Sequence, residues 1–447
     1  MNYLLFVISV FIYSSFAFFI YRKVNRIGGI ASPGSIFIFT ISFIFIFYSI
    51  YINIFEVEFF SNFVLSEDVP LTHSISLLVA LFGLFFYWLG FCSYKNKKKC
   101  SAFIFDQKKL NLYLGPCSIL VASTLFVGAF LFLIMLFEAN AFSNIALFQQ
   151  QYRSGVYLGS GFKTGLFLLV LPPLVFIYYY ILLNSERNSN IQWFILYFSM
   201  FVCIITPILL GFRIMLVAFI PGIIWIYNYY AKKISLRTII LIFIFGLLFM
   251  GILGFIRASS EYEIAGLYTS PFNLFEVLSS PFIRNNSTTI IAATLKNSRN
   301  HDYFLTMLNE PLLNLIPRNI RPEFILQTEK FGLDIMSDFF FERDGNPQSF
   351  AGLSPNPIGF SFWQGGIFGV AFYMFIIGFI SRFVDMNLNA RKCYSIWKFY
   401  FIINVSIFII MQVDSPQDAF NIFIFRCLLS IPFFIFLTLL SKFNIFR

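Results

Sequence analysis

Apolar runs of about 20 residues, the length a helix needs to cross a hydrocarbon core, recur from one end of this 447-residue chain to the other. They are continuously apolar and do not alternate with polar positions, so they encode helices and not the strands of a barrel. Eleven runs can be read, roughly 3–21, 34–55, 72–93, 112–137, 164–183, 191–210, 214–230, 238–256, 358–381, 397–413 and 421–441. Composition agrees: only 12% of the residues are charged, against about 25% in soluble domains. The fold class that follows is an all-α polytopic membrane protein with about eleven transmembrane helices. Most soluble enzyme classes are excluded, and so is nucleic-acid binding, despite a net charge of +10.

That basic excess has another origin. Cytoplasmic connections of membrane proteins carry the surplus of Lys and Arg. Here alternate connections hold Arg22, Lys23 and Arg26, then Lys95 to Lys109, then Arg187, then Lys232, Lys233 and Arg237. The series continues through Arg382, Arg391, Lys392 and Lys398 to the tail residues Lys442 and Arg447. Of the 21 acidic residues these segments contain only Asp106, Glu186 and Asp385. The pattern predicts a cytoplasmic C-terminus and a periplasmic N-terminus. The first apolar run is followed, not preceded, by its basic cluster, as a retained span would be. The six cysteines show no metal-ligand spacing and there are only two histidines, so neither a metal nor another cofactor is expected.

One connection is far longer than the rest. Residues 1–256 hold the first eight predicted spans and 358–447 the last three. Between them, 257–357 forms a large outer loop, with short helices expected at 286–298 and 302–316. Loops of this length inside a compact protein are usually functional.

The arginines on the predicted outer side run against the positive-inside bias. Arg213 stands in Gly211-Phe212-Arg213, in a tight turn between two spans. Arg257 sits where the eighth span emerges, and Arg318 and Arg321 lie in Pro317-Arg318-Asn319-Ile320-Arg321-Pro322-Glu323. A guanidinium fork matches phosphate and pyrophosphate through paired hydrogen bonds, so these four arginines are candidates for binding a pyrophosphate headgroup. Snorkelling to lipid phosphates is the plainer alternative. His301, in Arg299-Asn300-His301-Asp302-Tyr303, and Glu323 are candidates for a general base. His301 also reads as a surface residue ahead of a helix-capping Asp302. Glu56, Glu58, Glu67 and Asp68 read more simply as solvated charges than as cation ligands. Gly365, Gly366 and Gly369 follow the Ser354-Pro355-Asn356-Pro357 exit from the long loop, where they allow close helix approach or leave room for a ligand. Arg426 reads as lying about one turn inside the last span, paired with Asp418 or facing a cavity.

The many spans, the long outer loop, Gly-x-Arg at 211–213 and the Ser-Pro exit into a Gly-Gly-x-x-Gly span at 354–369 resemble Wzy-type oligosaccharide repeat-unit polymerases. The resemblance implies a fold like that of metal-independent GT-C-type membrane glycosyltransferases. It implies transfer of a growing glycan from undecaprenyl pyrophosphate to a lipid-linked repeat unit, on the periplasmic side of a bacterial inner membrane. It implies donor and acceptor lipids as partners, membrane lipids around them, and a chain-length regulator protein. The chain departs from the family in having no acid between Asp344 and Asp385. An O-antigen ligase would look much the same, and His301 fits it. A flippase or transporter would place ionisable residues at mid-membrane and often show an inverted repeat; apart from Arg426 the spans offer neither.

Overall fold

The computed structural model describes residues 2–55, 69–94, 107–139, 164–185, 188–210, 212–235, 237–242, 356–389, 395–413 and 416–442, with a few single positions between them. Among the described residues there is no strand. The principal helices are α1 (Asn2–Gly28), α2 (Pro33–Phe55), α3 (Val69–Ser93), α4 (Gln107–Glu138), α5 (Leu171–Asn184), α6 (Asn190–Leu210) and α7 (Arg213–Ile226), then α8 (Pro357–Asn389), α9 (Ile396–Met411) and α10 (Pro416–Lys442). Seven helical stretches among the described residues are long and apolar enough to cross a membrane: α1, α3, α4, α5 with its lead-in, α6, α8 and α10. Several helices outrun their apolar stretches. α1 continues through Arg22, Lys23 and Arg26 to Gly28, and α8 continues through Arg382 and Asp385 to Asn389. The long segment 257–357, including its expected short helices, lies outside the described residues but for a few positions.

The chain forms two compact units. The first comprises Met1–Lys95, Phe282–Asp385 and Ile409–Asn421. Within it α1 and α3 run side by side in the same direction, because Phe6 meets His73 near their starts and Phe19 meets Trp88 near their ends, both at 6.3 Å between ring centroids. α2 folds back along α1, with Tyr13 against Phe45 and Tyr21 against Phe39. α3 and α8 touch backbone to backbone. A Cβ added at Gly90 would strike the Phe375 carbonyl oxygen, and one at Gly378 would strike that of Tyr87. Lipid supplies no hydrophobic drive for helix association, so glycines that let two backbones meet carry much of the packing, helped by weak Cα–H···O contacts.

At the far end of α8 the buried Asp385 reaches the start of α2. Its Oδ2 accepts a hydrogen bond from Ser32 Oγ at 3.0 Å and its Oδ1 one from the Gly34 N–H at 3.2 Å. Ser32 Oγ in turn accepts the Ser35 N–H at 3.1 Å. First-turn N–H groups have no partner within their own helix, and a carboxylate beside them also meets the positive end of the helix dipole. α2 is therefore capped twice, by its own Ser32 at the Ser35 N–H and by Asp385 of another helix at the Gly34 N–H. Asp385→Ala is expected to lower stability by about 1–2 kcal/mol, as lost caps do, with Asp385→Asn losing less because it keeps an acceptor. Matching apparent melting temperatures for Asp385→Ala and the wild type in detergent would remove the cap from the account.

The second unit comprises Asn96–Pro281, Met386–Phe408 and Ile422–Arg447. Its centre is α5, in which every residue from Leu171 to Leu182 is buried. A helix apolar on all sides belongs in a core. Its neighbours come from both halves of the sequence. Tyr178 Oη donates to the Gln192 carbonyl of α6 at 3.1 Å and lies 3.2 Å from Ser118 Oγ of α4. Phe176 stacks on Phe219 of α7 at 5.3 Å, and Tyr180 stacks on Phe399 of α9 at 3.9 Å. The chain enters α5 through a π-helical turn, Leu166–Val170, just ahead of Pro172 and Pro173, whose rings do not fit the preceding turn of a regular helix.

Candidate functional site

Of the residues singled out for chemistry, Arg213 has a described backbone: it is the first residue of α7. The Arg213 side chain lies outside the described residues, as do Arg257, His301, Arg318, Arg321 and Glu323 altogether. α6 ends at Leu210, and the Phe212 N–H closes its last turn by donating to the Pro207 carbonyl at 2.8 Å. α7 then starts at once, with no side-chain cap offered by Phe212. Gly-Phe-Arg thus delivers an arginine to an uncapped helix start, where backbone N–H groups and the helix dipole favour an anion.

A second arginine meets the same turn. Arg426 lies ten residues into α10, about 15 Å along the helix axis at 1.5 Å per residue. α10 begins at Pro416, ahead of the apolar run that opens near 421, so the helix starts earlier than the run while Arg426 keeps its place about one turn inside it. Its side chain is 1% exposed, and Nη2 lies 3.8 Å from Sδ of Met215, in the first turn of α7. Tyr400 Oη of α9 donates to the Arg426 backbone carbonyl at 3.0 Å. Among the described residues, Cys203 of α6, Tyr400 and Cys427 act on the guanidinium electrostatically, and none of these is a carboxylate. Nε and Nη1 have no hydrogen-bond partner among the described residues. The expected partner, Asp418, has its side chain outside the described residues.

The first unit holds a different polar centre. α8 carries non-helical backbone at Gly365 (φ −153°, ψ 20°) and Gly366 (φ 60°, ψ −150°), so its first two turns form a separate segment. Asn356 Oδ1 caps that segment, accepting the N–H groups of Ile358 at 3.0 Å and Gly359 at 3.2 Å. Gln364, just before the break, is buried, and the Tyr373 hydroxyl donates to Gln412 Oε1. Broken helices persist in membranes where protein or a polar cavity covers their backbone, and transporters and enzymes alike build sites at such places. Gly366 has a conformation open essentially to glycine alone, so Gly366→Ala is expected to cost about 1–3 kcal/mol. Gly365→Ala, at negative φ, is expected to cost less, and equal drops in melting temperature would contradict that account. Sequence reading missed these amides because Gln364 and Gln412 sit singly inside apolar runs, although a lone amide in a span was the available signal.

Among the described residues no group of three or more His, Cys, Asp or Glu could hold a metal ion. The helices define the protein as all-α and built to sit in a membrane. No protein-family model, no curated protein and no solved structure matches the chain.

Proposed function

We propose that the protein polymerises undecaprenyl-pyrophosphate-linked oligosaccharide repeat units into O-antigen or a related surface polysaccharide, at the periplasmic face of a bacterial inner membrane. The observation that carries this reading is Arg213 at the uncapped start of α7, in a chain whose long loop brings further arginines, Arg257, Arg318 and Arg321, to the side predicted to face out. In the reaction, the acceptor sugar hydroxyl attacks the anomeric carbon of the donor glycan. A new C–O glycosidic bond forms as the bond to the pyrophosphate oxygen breaks, with inversion. His301 or Glu323 takes the hydroxyl proton, and the four arginines stabilise negative charge gathering on the departing lipid pyrophosphate. Donor and acceptor are both lipid-linked, and a chain-length regulator protein completes the expected set of partners.

The test is deletion of the gene in its host, with plasmid rescue and electrophoresis of the surface polysaccharide. Core carrying a single repeat in place of a ladder is expected. Core without any repeat, with polymer retained on the lipid carrier, would make the protein a ligase instead. The broken α8 with its buried amides is the feature a flippase would also show, and a flippase deletion strands single units on the cytoplasmic side. An unchanged ladder would overturn all three readings.

A further inference from the structure

We infer that Arg426 and the first turn of α7 form a buried binding site for a phosphate-bearing anion. The inference rests on the proposed function for the identity of its natural occupant, a lipid-linked pyrophosphate. The site itself is argued from geometry alone.

A guanidinium buried in the interior of a helix bundle is costly unless its N–H groups are met. The contacts of Arg426 leave that cost unmet on one edge. Nη2 is spent on a thioether, a weak acceptor, while Nε and Nη1 are without partners among the described residues. Among the described residues no carboxylate acts on its charge. Tyr400, donating to the backbone carbonyl of Arg426, fixes the position from which the side chain extends. The side chain points at a helix start without a side-chain cap: the Met215 N–H donates to the Phe212 carbonyl at 3.3 Å, while the N–H groups of Arg213 and Ile214 precede the first carbonyl the helix could offer them. Arg213 begins that same turn. An anion with several oxygens would meet all of these needs at once, which is what phosphate does at helix N-termini and at arginine forks. Lysine would be a poorer choice, since a point charge cannot span two oxygens in a fixed plane.

Three phosphate sources share this chemistry: a polyprenyl pyrophosphate, a bulk phospholipid and free pyrophosphate. Burial favours the first. The Arg426 side chain is 1% exposed, so an anion reaching it must leave bulk water. An isoprenoid chain lets the headgroup be carried in.

The experiment uses the full chain purified in detergent and follows its apparent melting temperature with farnesyl pyrophosphate, inorganic pyrophosphate, farnesol and a phosphatidylglycerol as separate probes. Farnesyl pyrophosphate is expected to raise the melting temperature of the wild type by several degrees and farnesol to leave it unchanged. A like shift with inorganic pyrophosphate, or with the phosphatidylglycerol, would keep the anion site and assign it to that source. Arg426→Gln should abolish the shift. Arg426→Lys should raise the half-saturating concentration by about tenfold or more, the loss expected for a charge-assisted hydrogen bond. Should Arg426→Gln fail to fold, Met215→Glu provides the test: its carboxylate would occupy the guanidinium, raise the melting temperature without probe and remove the response to farnesyl pyrophosphate. Equal responses in the wild type and in Arg426→Gln or Met215→Glu would overturn the inference, as would a wild type that responds to none of the anions. Binding is read here without polymerisation. A lost ladder in the deletion strain with no anion response would therefore fail the site alone, and an anion response with an intact ladder would fail the function alone.

Discussion

Leucine at position 378 will sharply cut the yield of folded protein extracted from membranes, and alanine there will lower its melting temperature. At Gly378 a single Cβ runs into the Tyr87 carbonyl, and at Gly90 into the Phe375 carbonyl. Both obstacles are backbone, which cannot swing aside as a side-chain tip would. α3 and α8 must part instead, and parting them strips contacts along the whole crossing, including Gly83 against Val370. Overpacking of a tight core typically costs about 1–3 kcal/mol, so alanine is expected within that range and leucine beyond it. The two sites belong to one crossing, so Gly90→Ala and Gly378→Ala together should cost less than the sum of the singles. Gly165→Ala is the control, since an added Cβ there meets nothing within 4 Å. Size-exclusion profiles and thermal unfolding of the detergent-solubilised variants read all of this. A Gly378→Ala protein that melts with the wild type would refute the backbone contact.

The second large effect concerns activity. On the proposed function, Arg213→Ala is expected to abolish the polysaccharide ladder at normal protein level, because a cation on a leaving pyrophosphate acts where charge develops. Losing one such group costs roughly 10²–10³-fold in rate. Arg213→Lys should recover only part of this, keeping the charge but losing the fork. Single alanine variants of Arg257, Arg318 and Arg321 extend the series. If all four leave chain length and yield as they were, the pyrophosphate assignment is dead. For the base, full activity in both His301→Ala and Glu323→Ala would end the assignment to either residue.

Hydropathy made the helices legible because each must bury about 20 apolar residues in lipid and must satisfy its backbone within itself. The ends were less legible. α1 runs on past its apolar stretch through Arg22, Lys23 and Arg26, since a helix does not stop where the hydrocarbon does. The same effect appears at α10, which Pro416 opens before the sequence turns apolar. Partnerships across the sequence were not legible at all. Asp385 read as a stray acid in a basic connection, and its role depends on Ser32 and Gly34, which no local pattern connects to it. At the candidate site, Gly-x-Arg gave the position of Arg213. That Met215 would touch Arg426 follows from packing between helices far apart in the chain.

The cap on α2 has a consequence for how the protein is made. Gly34 and Asp385 are separated by 351 residues. At about 5–20 residues per second on the ribosome, the carboxylate emerges roughly 20–70 s after the helix start it serves. Throughout that interval α2 waits in the membrane with the Gly34 N–H unmet and only Ser32 holding its first turn, and α3 waits with the bare glycine face that α8 will cover. The first unit is thus sealed only near the end of translation. A chain released before α8 would expose those surfaces to the insertion machinery and to membrane proteases.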